Sequence, residues 1–140
     1  MNHSDFIAFA TEIRIQFRYP EKATKAKDMT TQLLVAIASG CNRNNATFIG
    51  HIKCIAEVED GSFIYCSVLD DSGRFDCTGE LSGLCNNILI QLNVLVYGLT
   101  QLILEKIVNT ALEAMCPSIK YTVSEMSESD SLKWLQPTWR

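Results

Sequence analysis

From residue 47 onward the chain alternates short apolar runs with polar turns. Thr47 to Val58 is rich in β-branched and apolar residues and is broken by Glu59-Asp60-Gly61. Phe63 to Leu69 follows, closed by Asp70-Asp71-Ser72-Gly73, and Phe75 to Leu81 makes a third run. β-Branched and aromatic side chains suit a pleated, half-buried surface, and Gly73 supplies the positive φ that a tight hairpin needs. Residues 47–81 therefore predict a three-stranded meander.

Upstream, Ser4 or Asp5 is placed to cap a short helix through Ala10. Ile13, Ile15, Phe17 and Tyr19 alternate with Arg14, Gln16 and Arg18, the period of a half-exposed strand that Pro20 ends. From Asp28, Leu33, Leu34 and Ile37 recur at helical spacing up to Gly40, and residues 41–45 form a polar loop. Downstream, Ser82 to Leu92 predicts a helix and Val94 to Leu104 a fourth strand, bent at Gly98. Residues 105–109 read as a loop, and Thr110 to Met115 with Ile119 to Val123 as a fifth strand around Pro117. Behind an acidic stretch from Ser127 to Asp130, Ser131 to Leu135 starts a helix carrying Leu132, Trp134 and Leu135. The expected organisation is an N-terminal extension (1–40), a β domain (41–126) and the start of a C-terminal helix (127–140). Gly50, Gly73 and Gly98 fall where the chain turns or bends most sharply.

Composition narrows the classes. A chain of 140 residues, 47% apolar and 20% charged, suits one soluble globular domain. The longest apolar stretch, Ile88 to Leu104, is interrupted by Gln91, Asn93, Gly98, Thr100 and Gln101, which argues against a membrane span. The N-terminal MNHSDF lacks the basic start and cleavage site of a secretory signal, so an intracellular location is expected. The net charge of −4 hides a basic run: Arg14, Arg18, Lys22, Lys25 and Lys27 are opposed only by Glu21. Such a run is more commonly a solvated face than a phosphate contact.

Six cysteines include no C-x-x-C pair, and His3 and His51 alone are available to help hold a metal; no metal or cofactor is expected. Cys54, Cys66 and Cys77 fall within predicted strands and read as reduced core thiols. No Gly-rich phosphate loop or nucleophile elbow is present. Asp70 and Asp71 precede Ser72-Gly73 and suit a turn better than acid–base work. His51 beside Cys66 or Cys77 lacks an orienting group. The chain reads as non-enzymatic.

The meander, its early Gly50 and its Asp-Asp-Ser-Gly hairpin predict an all-β fold, a five-stranded oligonucleotide/oligosaccharide-binding (OB) barrel with short flanking helices. The segments ATFIGHIKCI, FIYCSVLDDSGRFDC and LNVLVYGLTQLI, with MTTQLLVA upstream, resemble the OB domain of the middle subunit of replication protein A and its telomere-capping (CST-type) counterpart over residues 28–125. The RecQ-associated small OB subunit shares much of this pattern. The resemblance implies a non-enzymatic nuclear subunit that helps protect single-stranded DNA. It implies pairing with a second small OB-fold protein through a helix after the barrel, here Leu132, Trp134 and Leu135, in a hetero-oligomer. DNA contact, weak or shared with other chains, would fall to Lys53, Phe63, Tyr65, Arg74 and Lys106. Glu80 stands where DNA-binding members carry a stacking aromatic, and Asp76, Thr78 and Glu80 are expected to face outward. Alternatives are direct single-strand binding and an RNA-processing accessory role.

Overall fold

The structure, a computed structural model, describes residues 6–70, 72–115 and 120–125. Among the described residues the chain is mostly β: six strands form one antiparallel sheet, and two helices pack on it. The strands are β1 (Phe6–Lys22), β2 (Phe48–Val58), β3 (Phe63–Val68), β4 (Phe75–Glu80), β5 (Leu84–Tyr97) and β6 (Lys120–Glu125). The helices are α1 (Ala23–Arg43), between β1 and β2, and α2 (Gln101–Met115), between β5 and β6. The sheet order is β4-β3-β2-β5-β1-β6.

The meander forms as predicted, with β2, β3 and β4 in sequential antiparallel register. Beyond the meander the expected all-β, barrel-like character holds, but the strand count and the helix lengths differ from a five-stranded barrel with short flanking helices. The strands number six, the order runs from β4 to β6 with no ladder between them among the described residues, and the helices are 21 and 15 residues long. The residues expected as an N-terminal extension supply β1, an interior strand between β5 and β6, and α1.

Four local predictions differ from the structure. Pro20 does not end β1, because the register with β5 breaks between Gln16 and Glu21, a bulge that absorbs a residue without an N–H. Residues 4–10 were expected as a helix, yet Phe6 to Ala10 pair with β5 from Tyr97 to Asn93. Ser82 to Leu92, expected as a helix, lies largely in β5, where Ile88, Ile90, Leu92, Val94 and Val96 are buried at period two. The chain turns at Gly98 and enters α2 instead of extending the strand. Thr100 caps α2, its hydroxyl accepting from Ile103 N–H at 3.2 Å. Leu104, Ile107, Val108, Ala111 and Leu112 then form its buried stripe.

The core lies between the two helices and one face of the sheet. Ile13, Ile15, Leu33, Leu34, Ile37, Ile52, Ile90 and Leu104 are at most 1% exposed. Gly40 of α1 lets α2 approach, since a β-carbon there would stand 2.6 Å from Ile107. On the same side of the sheet, Cys54, Cys66 and Cys77 oppose one another across β2, β3 and β4. Directly opposed strand partners bring β-carbons within disulfide reach, and Cys66 and Cys77 are bonded. That corrects the reading of both as reduced thiols. Cys41, Cys54 and Cys85 are free and buried, with burial pushing the Cys54 thiol up to about 12. Cys116 lies outside the described residues.

Candidate interaction face

The alternation that buries one side of β5 exposes the other. With Ile88, Ile90, Leu92, Val94 and Val96 turned to the helices, Leu89, Gln91, Asn93, Leu95 and Tyr97 turn away. The ladders extend these residues into rows. One row reads Arg14–Leu89–Glu57–Phe63–Glu80, the next Glu12–Gln91–Ile55–Tyr65–Thr78, and the third Ala10–Asn93–Lys53–Ser67–Asp76. Two shorter rows follow, Ala8–Leu95–His51 and Phe6–Tyr97–Phe48. Between Ile49 and His51 the β2 register shifts, and Gly50 sits in that bulge against Leu95.

The surface is apolar and aromatic for a sheet face that neither helix covers. Phe6 and Phe48 flank Tyr97 with ring centroids 5.5 and 5.8 Å away, yet remain 53% and 56% exposed. Ile55 and Tyr65 are buried but stand outside the core cluster shared by the helices and the opposite face. Gln91, at the centre, is only 8% exposed, and its side chain forms no hydrogen bond among the described residues. A shielded amide without a partner calls for one.

Charge is mixed across the face. Arg14 Nη2 donates to Glu12 Oε1 at 2.7 Å. Lys53 stands on the same strand face as Glu57, and Asp76 and Glu80 mark the β4 edge. His51 shares a 3.0 Å hydrogen bond with Asn93 Oδ1. Its pKa lies below 6.5 because burial disfavours the imidazolium and Lys53 repels it, which outweighs the bond to Asn93. His51 and the Cys66–Cys77 pair lie on opposite faces of the sheet, so they cannot form a base–nucleophile pair.

Of the residues singled out from sequence, Lys53, Phe63 and Tyr65 meet on this face. Arg74 does not: it sits in the β3–β4 turn, where its Nε donates to Asp70 Oδ2 at 2.8 Å. The same Asp70 accepts from the Ser72 hydroxyl, which with Arg74 holds its carboxyl below the usual range. Asp70 is thus a turn residue, and Asp71 lies outside the described residues. Lys106 is on α2, on the helix side, beside Ala36 and Arg43. Asp76, Thr78 and Glu80 do share the helix-free side. Leu132, Trp134 and Leu135, the expected partner-binding residues, lie outside the described residues. Sequence reasoning missed Leu89, Gln91, Leu95, Tyr97, Phe6 and Phe48. Their signal was the placing of Gln91 and Asn93 at alternate positions of an apolar run, which marks a strand with two unlike faces.

Among the described residues no group of three or more His, Cys, Asp or Glu side chains is placed to hold a metal ion, and no helix is long and apolar enough to cross a membrane. Comparison with protein-family models and with curated proteins finds no match to this chain.

Proposed function

We propose that this chain is a non-catalytic interaction subunit that docks a protein through the helix-free face of its sheet. One observation carries the reading: an apolar and aromatic band from Phe6 to Phe63, without a covering element among the described residues, surrounds the shielded and unpartnered Gln91. Interface centres elsewhere combine aromatic anchors with excluded water. From the resemblance to single-strand-protecting complexes this proposal keeps the scaffold role and does not depend on a barrel.

A second reading, single-stranded nucleic acid on the same face, is favoured by the grouping of Phe63, Tyr65 and Lys53. Stacking platforms use such aromatics, at about 1–3 kcal/mol per base. Backbone affinity, however, comes from clustered cations that release counterions. Here Lys53 and Arg14 are matched by Glu12, Glu57, Asp76 and Glu80, which favours a protein.

The test is retrieval of the native assembly by the tagged full chain after nuclease treatment. Leu89→Arg, in the middle of the face, should lose the associated protein, while Lys106→Glu, on the helix side, keeps it. Equal retrieval by both variants contradicts the docking face. An assembly dissolved by nuclease alone would pass the face to nucleic acid.

A further inference from the structure

We propose that the protein docked on this face is a second copy of the same chain, paired about a twofold axis running nearly along β5. The inference rests on the docking reading above and names its partner. The argument is charge complementarity of the face with itself.

An isologous interface needs one patch that fits its own rotated image. Packing two sheets face to face about an axis along β5 keeps each row in place and exchanges the strands on either side. β1 of one copy then lies over β2 of the other. In the row centred on Leu89, Arg14 is the neighbour on β1 and Glu57 the neighbour on β2. The rotation therefore sets Arg14 of each copy over Glu57 of the other, with Leu89 against Leu89. Two rows on, Lys53 of β2 passes over Ala10 of the second copy, diagonal to that copy's Glu12. Going along the strands, β2 reads basic, apolar, acidic where β1 reads small, acidic, basic, so Arg14 and Glu57 meet directly, Lys53 and Glu12 meet on the diagonal, and no like charges are opposed between these two strands.

The remaining features agree. Sheets pack about 10 Å apart, a gap that two long charged side chains can span. A cleft of about 410 Å³ already opens between Arg14 and Glu57 beside Leu89, room for the side chain that enters from the second copy. Gln91 lies on the axis strand, and an amide carries both a donor and an acceptor, so its own rotated image satisfies it. Among the described residues of the single chain Arg14 pairs with Glu12, and its side chain is 65% exposed.

The experiment is sedimentation of the full chain over a concentration series, with three variants. Wild type should populate a dimer. Arg14→Glu and Glu57→Arg should each weaken it on the order of tenfold or more by setting like charges together. The double variant Arg14→Glu/Glu57→Arg should restore it, because the rotation pairs the swapped charges. Both positions are exposed, and circular dichroism checks that each variant folds. A monomer at every concentration, a dimer indifferent to either reversal, or a double variant no better than the singles overturns the second copy. If the chain is monomeric yet the nuclease-resistant assembly still depends on Leu89, the docking face stands and its partner is a different chain. If neither is found, the docking reading fails as well.

Discussion

Gly98→Ala is expected to cost about 3 kcal/mol of folding stability, combining left-handed strain with a steric clash. Gly98 has φ of 90°, where a side chain costs roughly 1–2 kcal/mol by itself. It also has no room, because a β-carbon would lie 2.7 Å from the backbone nitrogen of Thr47. That approach is built in: Thr47 N–H donates to the carbonyl of Tyr97 at 2.9 Å, tying the start of β2 to the end of β5. Backbone cannot move aside as a flexible side chain would, so the ladder or the turn into α2 must give. Gly61→Ala is the control, with φ of 88° and open space around the new methyl group. It should cost only the strain. Denaturant midpoints of the two variants check this, and equal losses would show that the Thr47 approach is not constraining.

Leu34→Ala is expected to cost about 3–4 kcal/mol, within the range for a leucine whose site cannot collapse. Leu34 is fully buried in the middle of α1, on the stripe with Ala26, Met29, Thr30, Leu33 and Ile37. The rigid sheet lies beneath it and α2 beside it, so neighbours have little freedom to fill the void. Val35→Ala, one residue along and 37% exposed, should lose under about 1 kcal/mol. Chemical denaturation again decides, and similar losses at 34 and 35 would contradict this orientation of α1.

What was legible in the sequence was local. Residues 47–80 carried their own punctuation at Gly61 and Gly73, and the strands fall within a residue or so of their predicted ends. The Leu33-Leu34-Ile37 spacing identified α1 but placed its start at Asp28. The helix begins at Ala23, because Ala23 and Ala26 extend the buried stripe with side chains too small to stand out as an apolar pattern. Val94 to Tyr97 reads as strand and is strand, but residues 84–92 read as helix because Ile88-Leu89-Ile90 are apolar at consecutive positions, where strand and helix periods cannot be told apart. In α2, Ile103 reads as the end of a strand, residues 105–109 as a loop and Thr110 to Met115 as strand, although the burial runs at helical spacing.

The sheet order was beyond any local signal. The insertion of β1 between β5 and β6 joins residues 11–16 to 120–125, and nothing near either segment announces the other. The candidate face followed the same rule. Lys53, Phe63 and Tyr65 lie on adjacent strands of one meander and were found together. Arg14, Leu89 and Glu57 become neighbours only once β5 is seen as a two-faced strand between β1 and β2. Gln91 and Asn93, read as interruptions of an apolar run, are the polar centre of its outer face.

The most direct measurement is side-chain footprinting of the full chain in its native assembly and again after dissociation. Assembly should protect Phe6, Phe48, Phe63 and Tyr97 on the helix-free face and leave Val35 and Leu102 on the helices unchanged. Protection confined to the helices, with the four aromatics equally labelled in both states, would contradict the account.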